Sequence, residues 1–175
     1  GVLQVDLLAA DLADNAAGEI ATITGVSATA QVISLEAGGD LTDTTNTLIE
    51  TISVDAAGGG TDTLTIDVAN LTNVTTVSFG GAGADTLGLS GGTYDFSAIT
   101  MTFGAAASVL DLNTKDNLAK TVTVDAADIN NVGTITGEAT AAIDTTINLT
   151  GSDNLSALTI TNIDTLTIAG TNQAL

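Results

Sequence analysis

The chemistry open to this chain is oxygen chemistry, and its sharpest concentration is the stretch 80–92, GGAGADTLGLSGG. Glycines at 80, 81 and 83 permit a tight turn with positive φ and leave carbonyl oxygens uncovered, and Asp85 adds a carboxylate beside them. Such ligands suit a hard cation such as Ca2+, which takes about six to eight oxygens, so a neighbouring turn must complete what one turn begins. A second turn of the same kind lies close by: GTDTL (60–64) matches GADTL (83–87) at four of five places, with Asp62 and Asp85 23 residues apart. Weaker echoes are AGGD (37–40) and GGTYD (91–95), so Asp62 or Asp95 is expected to supply the other half of a site, with Asp40 and Asp43 as further candidates. The alternative is that these are tight Gly–Asp turns joining strands, in which Asp accepts backbone hydrogen bonds.

Composition excludes most other chemistry. The chain has 175 residues, net charge −19 and only two bases, Lys115 and Lys120, so nothing would neutralise nucleic-acid phosphates or anionic lipid headgroups. Cys, His, Trp and Pro are absent, which removes thiol nucleophiles, imidazole bases, thiolate and imidazole metal ligands and any disulfide framework. Asp55 with Asp62, or Asp125 with Asp128, could in principle form an acid/base pair; without His or Arg and with one Tyr, an enzyme is not expected, and the VDAAD run reads as a turn. No run of eighteen apolar residues occurs, so no membrane span is expected, and Gly1 in place of Met suggests a processed chain or a fragment.

The elements that must position these turns are short strands. Residues 1–20 read as an N-terminal cap or irregular segment. Leu3, Leu7, Leu8 and Leu12 with Asp6 as N-cap outline a short amphipathic helix, whereas VLQV alternates like a strand. From 21 to 175 the texture is alternating Thr, Ser, Val, Ile and Leu, which predicts strands at 21–24, 30–35, 51–54, 63–68, 76–79, 100–103, 121–124, 134–137, 146–149, 157–160 and 165–168, with Leu87 opening another. Strings recur: NVTTVS (73–78), NVGTIT (131–136) and NIDTLT (162–167), and T-[IV]-[ST]-V-D-A-A at 51–57 and 121–127. Repeats near 20 to 25 residues predict an all-β fold, a parallel β-solenoid of Thr/Val/Ile-rich strands; a β-sandwich is the alternative. With aromatics at 2%, the core must be built from Ala, Val, Leu and Ile.

The nine residues from Gly80 to Gly88, G-G-x-G-x-D-x-L-x, resemble one calcium-binding nonapeptide of RTX proteins, and the NVTTVS, NIDTLT and DTLTI strings resemble strand repeats of secreted RTX proteins and of calcium-dependent bacterial surface-layer (S-layer) proteins. The resemblance implies a right-handed β-roll or solenoid, export by a type I route, an extracellular place at the bacterial cell surface, and a role in a lattice, matrix fibre or adhesin that self-assembles. Cell-surface polysaccharide is a further implied partner. It also implies Ca2+ held by the carbonyls around Gly81 and Gly83 and the carboxylate of Asp85, completed by Asp62 or Asp95. True β-rolls run several nonapeptides in tandem, whereas this chain has one, so one or two sites are expected rather than a ladder.

Two features point elsewhere. T-x-T pairs begin at Thr22, Thr63, Thr100, Thr121, Thr134, Thr159 and Thr165, and stacked T-x-T rows resemble those of β-helical antifreeze proteins, which makes ice or surface binding the alternative function. The uneven separations of these pairs speak against a regular ladder, and Thr is in any case a good solvent-facing strand residue. The lysines in NTKDNLAKT (113–121), flanked by Asp111 and Asp116, read as solvated surface charge or as a patch complementary to an acidic face of a second copy.

Overall fold

Alternation of β-branched and small polar residues produces strands of three to six residues throughout. The computed structural model describes residues 3–7, 20, 22–26, 30–54, 60–113, 118–151, 153 and 155–169. Its strands are β1 (Leu3–Leu7), β2 (Thr22–Thr24), β3 (Gln31–Leu35), β4 (Gly38–Asp40), β5 (Thr45–Thr47), β6 (Thr51–Val54), β7 (Thr63–Ile66), β8 (Thr76–Phe79), β9 (Thr86–Leu89), β10 (Gly92–Asp95), β11 (Thr100–Thr102), β12 (Ser108–Asp111), β13 (Lys120–Asp125), β14 (Val132–Thr136), β15 (Thr145–Thr150), β16 (Thr159–Thr161) and β17 (Thr165–Ile168).

Every described ladder is parallel. The first sheet runs β1-β3-β6-β8-β11, the second β4-β7-β9-β12-β14-β16 and the third β10-β13-β15-β17, with β2-β5 as a small separate pair. Successive strands thus fall on different sheets and return to the same sheet one coil later, giving a β-solenoid of about five turns. A sandwich built of antiparallel strands is excluded by this pairing. Two 3-10 turns stand where a strand would otherwise be. Val68–Leu71 packs between β5 and β10, and Ala126–Ile129 packs against β11.

In-register pairing decides which side chains meet. Inward rows run Ile33–Ile52–Val77–Met101 on the first sheet, Leu64–Leu87–Leu110–Ile135 on the second and Tyr94–Val122–Ile147 on the third, all buried. Each such side chain contributes about 1.5–3 kcal/mol through burial. The few aromatics stack coil upon coil or strand upon turn: Phe79 and Phe103 have centroids 5.2 Å apart, and Tyr94 and Phe96 5.9 Å. The Tyr94 hydroxyl donates to the carbonyls of Ser90 (2.8 Å) and Ile66 (3.2 Å), so the one Tyr enters the core with its polar end satisfied.

Several expectations are revised. Residues 3–7 form β1, paired with β3, rather than the start of a helix, because Leu7 is buried in the inward row; Leu8 and Leu12 lie outside the described residues. The echoes AGGD and GGTYD are strand segments, β4 and β10, rather than corner turns. The three copies of the recurring string N-[VI]-x-T-[VIL]-[ST] lead into β8, β14 and β17, on three different sheets. In two of the copies the Asn turns a corner: Asn73 (φ 70°) and Asn162 (φ 56°) adopt the left-handed conformation that Asn tolerates, whereas Asn131 does not. Lys120 is not surface charge. It opens β13 on the inward side at 1% exposure, with its Nζ donating to the Leu118 carbonyl at 3.0 Å. Lys115 and Asp116 lie outside the described residues.

Candidate cation site at the corner between the first and second sheets

The two DTL turns occupy equivalent places in consecutive coils. Leu64 and Leu87 are register partners on β7 and β9, and each strand is preceded by its aspartate. The corner 80–85 turns from β8 to β9 with Gly81 at φ 80°, a conformation that a side chain would strain. Asp85 is 0% exposed and Asp62 5%. The Asp62 N–H donates to Asp85 Oδ1 at 3.2 Å, and the Asp85 N–H donates in turn to Ser108 Oγ one coil later, at 3.1 Å. Their backbone carbonyls accept the N–H groups of Thr86 and Val109, each at 2.7 Å. Main-chain groups are therefore satisfied along this column, while the outer oxygens Asp62 Oδ2 and Asp85 Oδ2 are buried without a hydrogen-bond partner.

Two acids are held closely here, away from water. Burial pushes the Asp62 carboxyl above the usual aspartate range, and the charge of Asp85 pushes in the same direction. An orphaned pair of carboxylate oxygens is a donor set for a hard cation, which would neutralise both. Among the described residues no third acidic side chain joins them. The Gly81 carbonyl faces the next coil closely: a Cβ on Gly104 would lie 2.5 Å from it. Gly83 is buried in the same corner.

The remaining candidates are placed differently. Asp95 ends β10 on the third sheet, exposed, and accepts the Ser97 N–H at 3.0 Å. The Ser97 hydroxyl, and then that N–H, hold its carboxyl below the usual range. Asp40 accepts the Thr42 N–H (3.0 Å) and hydroxyl (2.6 Å) in the same kind of turn. Asp67, Asp111 and Asp125 likewise accept the N–H two residues on, at 2.9 Å each, and Asp67 closes a capping box with Asn70. Asp128 accepts the Met101 N–H (3.3 Å), and burial raises its carboxyl against that bond. The VDAAD run is thus a turn, as its sequence reads, and Asp55 lies outside the described residues.

A role that sequence reading missed belongs to Glu50 and Asp164. Each stands just before a strand and accepts the N–H that opens the strand one coil earlier: Gln31 to Glu50 Oε2 and Thr145 to Asp164 Oδ2, both at 2.7 Å. Asp85 likewise accepts an N–H one coil earlier, that of Asp62 just before β7. The legible signal was an acid directly before a T-[ILV]-[ST] strand. No helix among the described residues is long and apolar enough to cross a membrane. No family model matches the chain, and neither a curated protein nor a solved structure matches it.

Proposed function

We propose that this solenoid is a structural module of an extracellular bacterial surface protein, an S-layer, matrix fibre or adhesin, that binds Ca2+ at its Gly/Asp corner and self-assembles. The observation that carries this reading is the Asp62–Asp85 pair, two buried carboxylates on adjacent coils with their outer oxygens unpartnered. Asp62 and Asp85 would hold the ion, which would supply charge neutralisation and tie one coil to the next. Two features are consistent with a building element: the rod of parallel sheets, and an acidic surface whose copies repel one another until cations intervene. Cell-surface polysaccharide is a further partner class under the same reading.

The test is calcium titration of the purified chain followed by circular dichroism and light scattering, with electron microscopy in calcium and in chelator. Ordered assemblies that form in calcium and dissolve in chelator are the expected result. A chain that stays monomeric and spectroscopically unchanged at millimolar calcium would remove the proposal.

A further inference from the structure

One stretch of the chain occurs twice. Residues 62–78, DTLTIDVANLTNVTTVS, and 120–136, KTVTVDAADINNVGTIT, align without a gap, 58 residues apart, and carry the same residue at seven of 17 places, among them Asp67 with Asp125 and Asn73 with Asn131. Both copies fold alike. A strand, β7 or β13, leads to a 3-10 turn, Val68–Leu71 or Ala126–Ile129, whose preceding aspartate accepts the N–H two residues on at 2.9 Å, and the turn leads to a second strand, β8 or β14. They lie on different sides of the rod: the first copy passes from the second sheet to the first and the second copy from the third sheet to the second, so the unit recurs turned by one side.

The residue that opens each copy is where they part. Asp62 and Lys120 hold the same place in the unit, immediately before a T-[LV]-T-[IV] stretch, and both are buried, at 5% and 1% exposure. An anion thus stands at one corner where a cation stands at the other. Their neighbours one coil on differ as well. Asp62 meets Asp85, and each keeps an outer oxygen without a partner. Lys120 is the register partner of Thr145, which is neutral and 0% exposed; the Lys120 Nζ donates to the Leu118 carbonyl, and Thr145 Oγ1 accepts the Glu138 N–H at 3.2 Å. A charge away from water persists only where an opposite charge or hydrogen bonds answer it, and the two copies meet that demand differently.

We propose that this first position decides where the cation of a corner comes from: aspartate at 62 makes its corner take Ca2+ from solution, whereas lysine at 120 supplies an ammonium from the chain itself. Given the Ca2+ reading of the Asp62–Asp85 pair, on which this depends, a lysine in place of Asp62 makes the ion dispensable. There is room for it. The Lys120 side chain turns back to the carbonyl two residues earlier, and the counterpart of Leu118 in the first copy is Gly60, exposed and with nothing within 4 Å of where a Cβ would stand. The orphaned Asp85 Oδ2 is the anion that such an ammonium would answer.

The experiment measures Tm by circular dichroism for wild type, Asp62→Asn and Asp62→Lys, each as the whole chain, in chelator and in millimolar calcium. Wild type is expected to melt higher in calcium than in chelator. In chelator Asp62→Lys is expected to melt about 2–4 °C above Asp62→Asn, which removes a charge without supplying the opposite one, and to move no further when calcium is added. A wild type unmoved by calcium would remove the calcium reading and this proposal with it. A responsive wild type, with Asp62→Lys no better than Asp62→Asn in chelator or still raised by calcium, would overturn this proposal alone. Should Asp62→Lys fail to fold, Lys120→Asp runs the exchange in reverse: its Tm is expected to depend on calcium more than that of wild type, and a dependence no greater would sink the proposal.

Discussion

Aspartates before a strand and aspartates after one behave as if they were different residues. Asp40, Asp67, Asp95, Asp111 and Asp125 follow or end strands, lie at corners within reach of water, and each accepts the N–H two residues on. Glu50, Asp85 and Asp164 precede strands and reach across to an N–H of the coil before. The first group closes local turns and needs nothing from the stack. The second exists only because coils are stacked, and where two of its positions meet, at Asp62 and Asp85, burial and mutual repulsion leave oxygens unsatisfied. Within one solenoid, then, the same side chain is a turn former or an electrostatic liability according to which end of a strand it occupies.

The contrast can be tested from its largest expected effect downward. Gly38 opens β4 one coil before Asp62, paired with Thr63, with φ 78°, and a Cβ there would run into the Thr63 carbonyl. Gly38→Ala should lower stability by roughly 2–4 kcal/mol, through backbone strain plus collision, as read from chemical denaturation. A near-neutral result would mean that the β4–β7 contact is loosely packed there.

Asp62→Asn should work in the opposite direction. The Asp62 carboxyl is raised in the fold, so its contribution to stability is fully present below the ordinary aspartate value of 3.8 and is lost as pH rises through the higher folded value. In chelator the variant should therefore match wild type in acid and exceed it by about 1–2 kcal/mol near pH 7. In calcium the order should reverse if the pair holds the ion. Melting curves from pH 3 to 8, with and without calcium, measure both; a variant less stable than wild type in chelator at neutral pH would break the contrast.

The smallest effect belongs to Asp95. Its carboxyl is lowered in the fold, so its contribution is present above the ordinary value of 3.8 and fades as pH falls through the folded value below it. Because the group is exposed, Asp95→Ala should lose only about 0.3–0.5 kcal/mol at neutral pH, with no dependence on calcium. A calcium-dependent difference would instead place Asp95 in the ion's shell.

Much of this fold could be read directly. The strands 51–54, 76–79 and 165–168 follow from period-two alternation with their boundaries intact. The matching GTDTL and GADTL turns do fall in consecutive coils, because a 23-residue separation is one circuit of the rod there. The recurring N-[VI]-x-T strings lead into three different sheets, and in two of them, at Asn73 and Asn162, the Asn takes a left-handed corner conformation. β5 and β12 escaped because TNT (45–47) and SVLD (108–111) carry too few alternating residues to stand out.

By itself the sequence determined the local matters: strand propensity, parallel coils implied by repeats of about one circuit, a base-poor surface, and oxygen as the only metal-binding chemistry. Only the tertiary structure decided which residues share a corner or a row. It put Asp62 against Asp85 and left Asp95 on another sheet, turned Lys120 inward, and aligned threonines whose spacing in the chain is irregular. The physical reason is that hydrogen-bond register between coils, and not distance along the chain, sets neighbours in a parallel solenoid, while corners of variable length hide that register from any reading of the sequence alone.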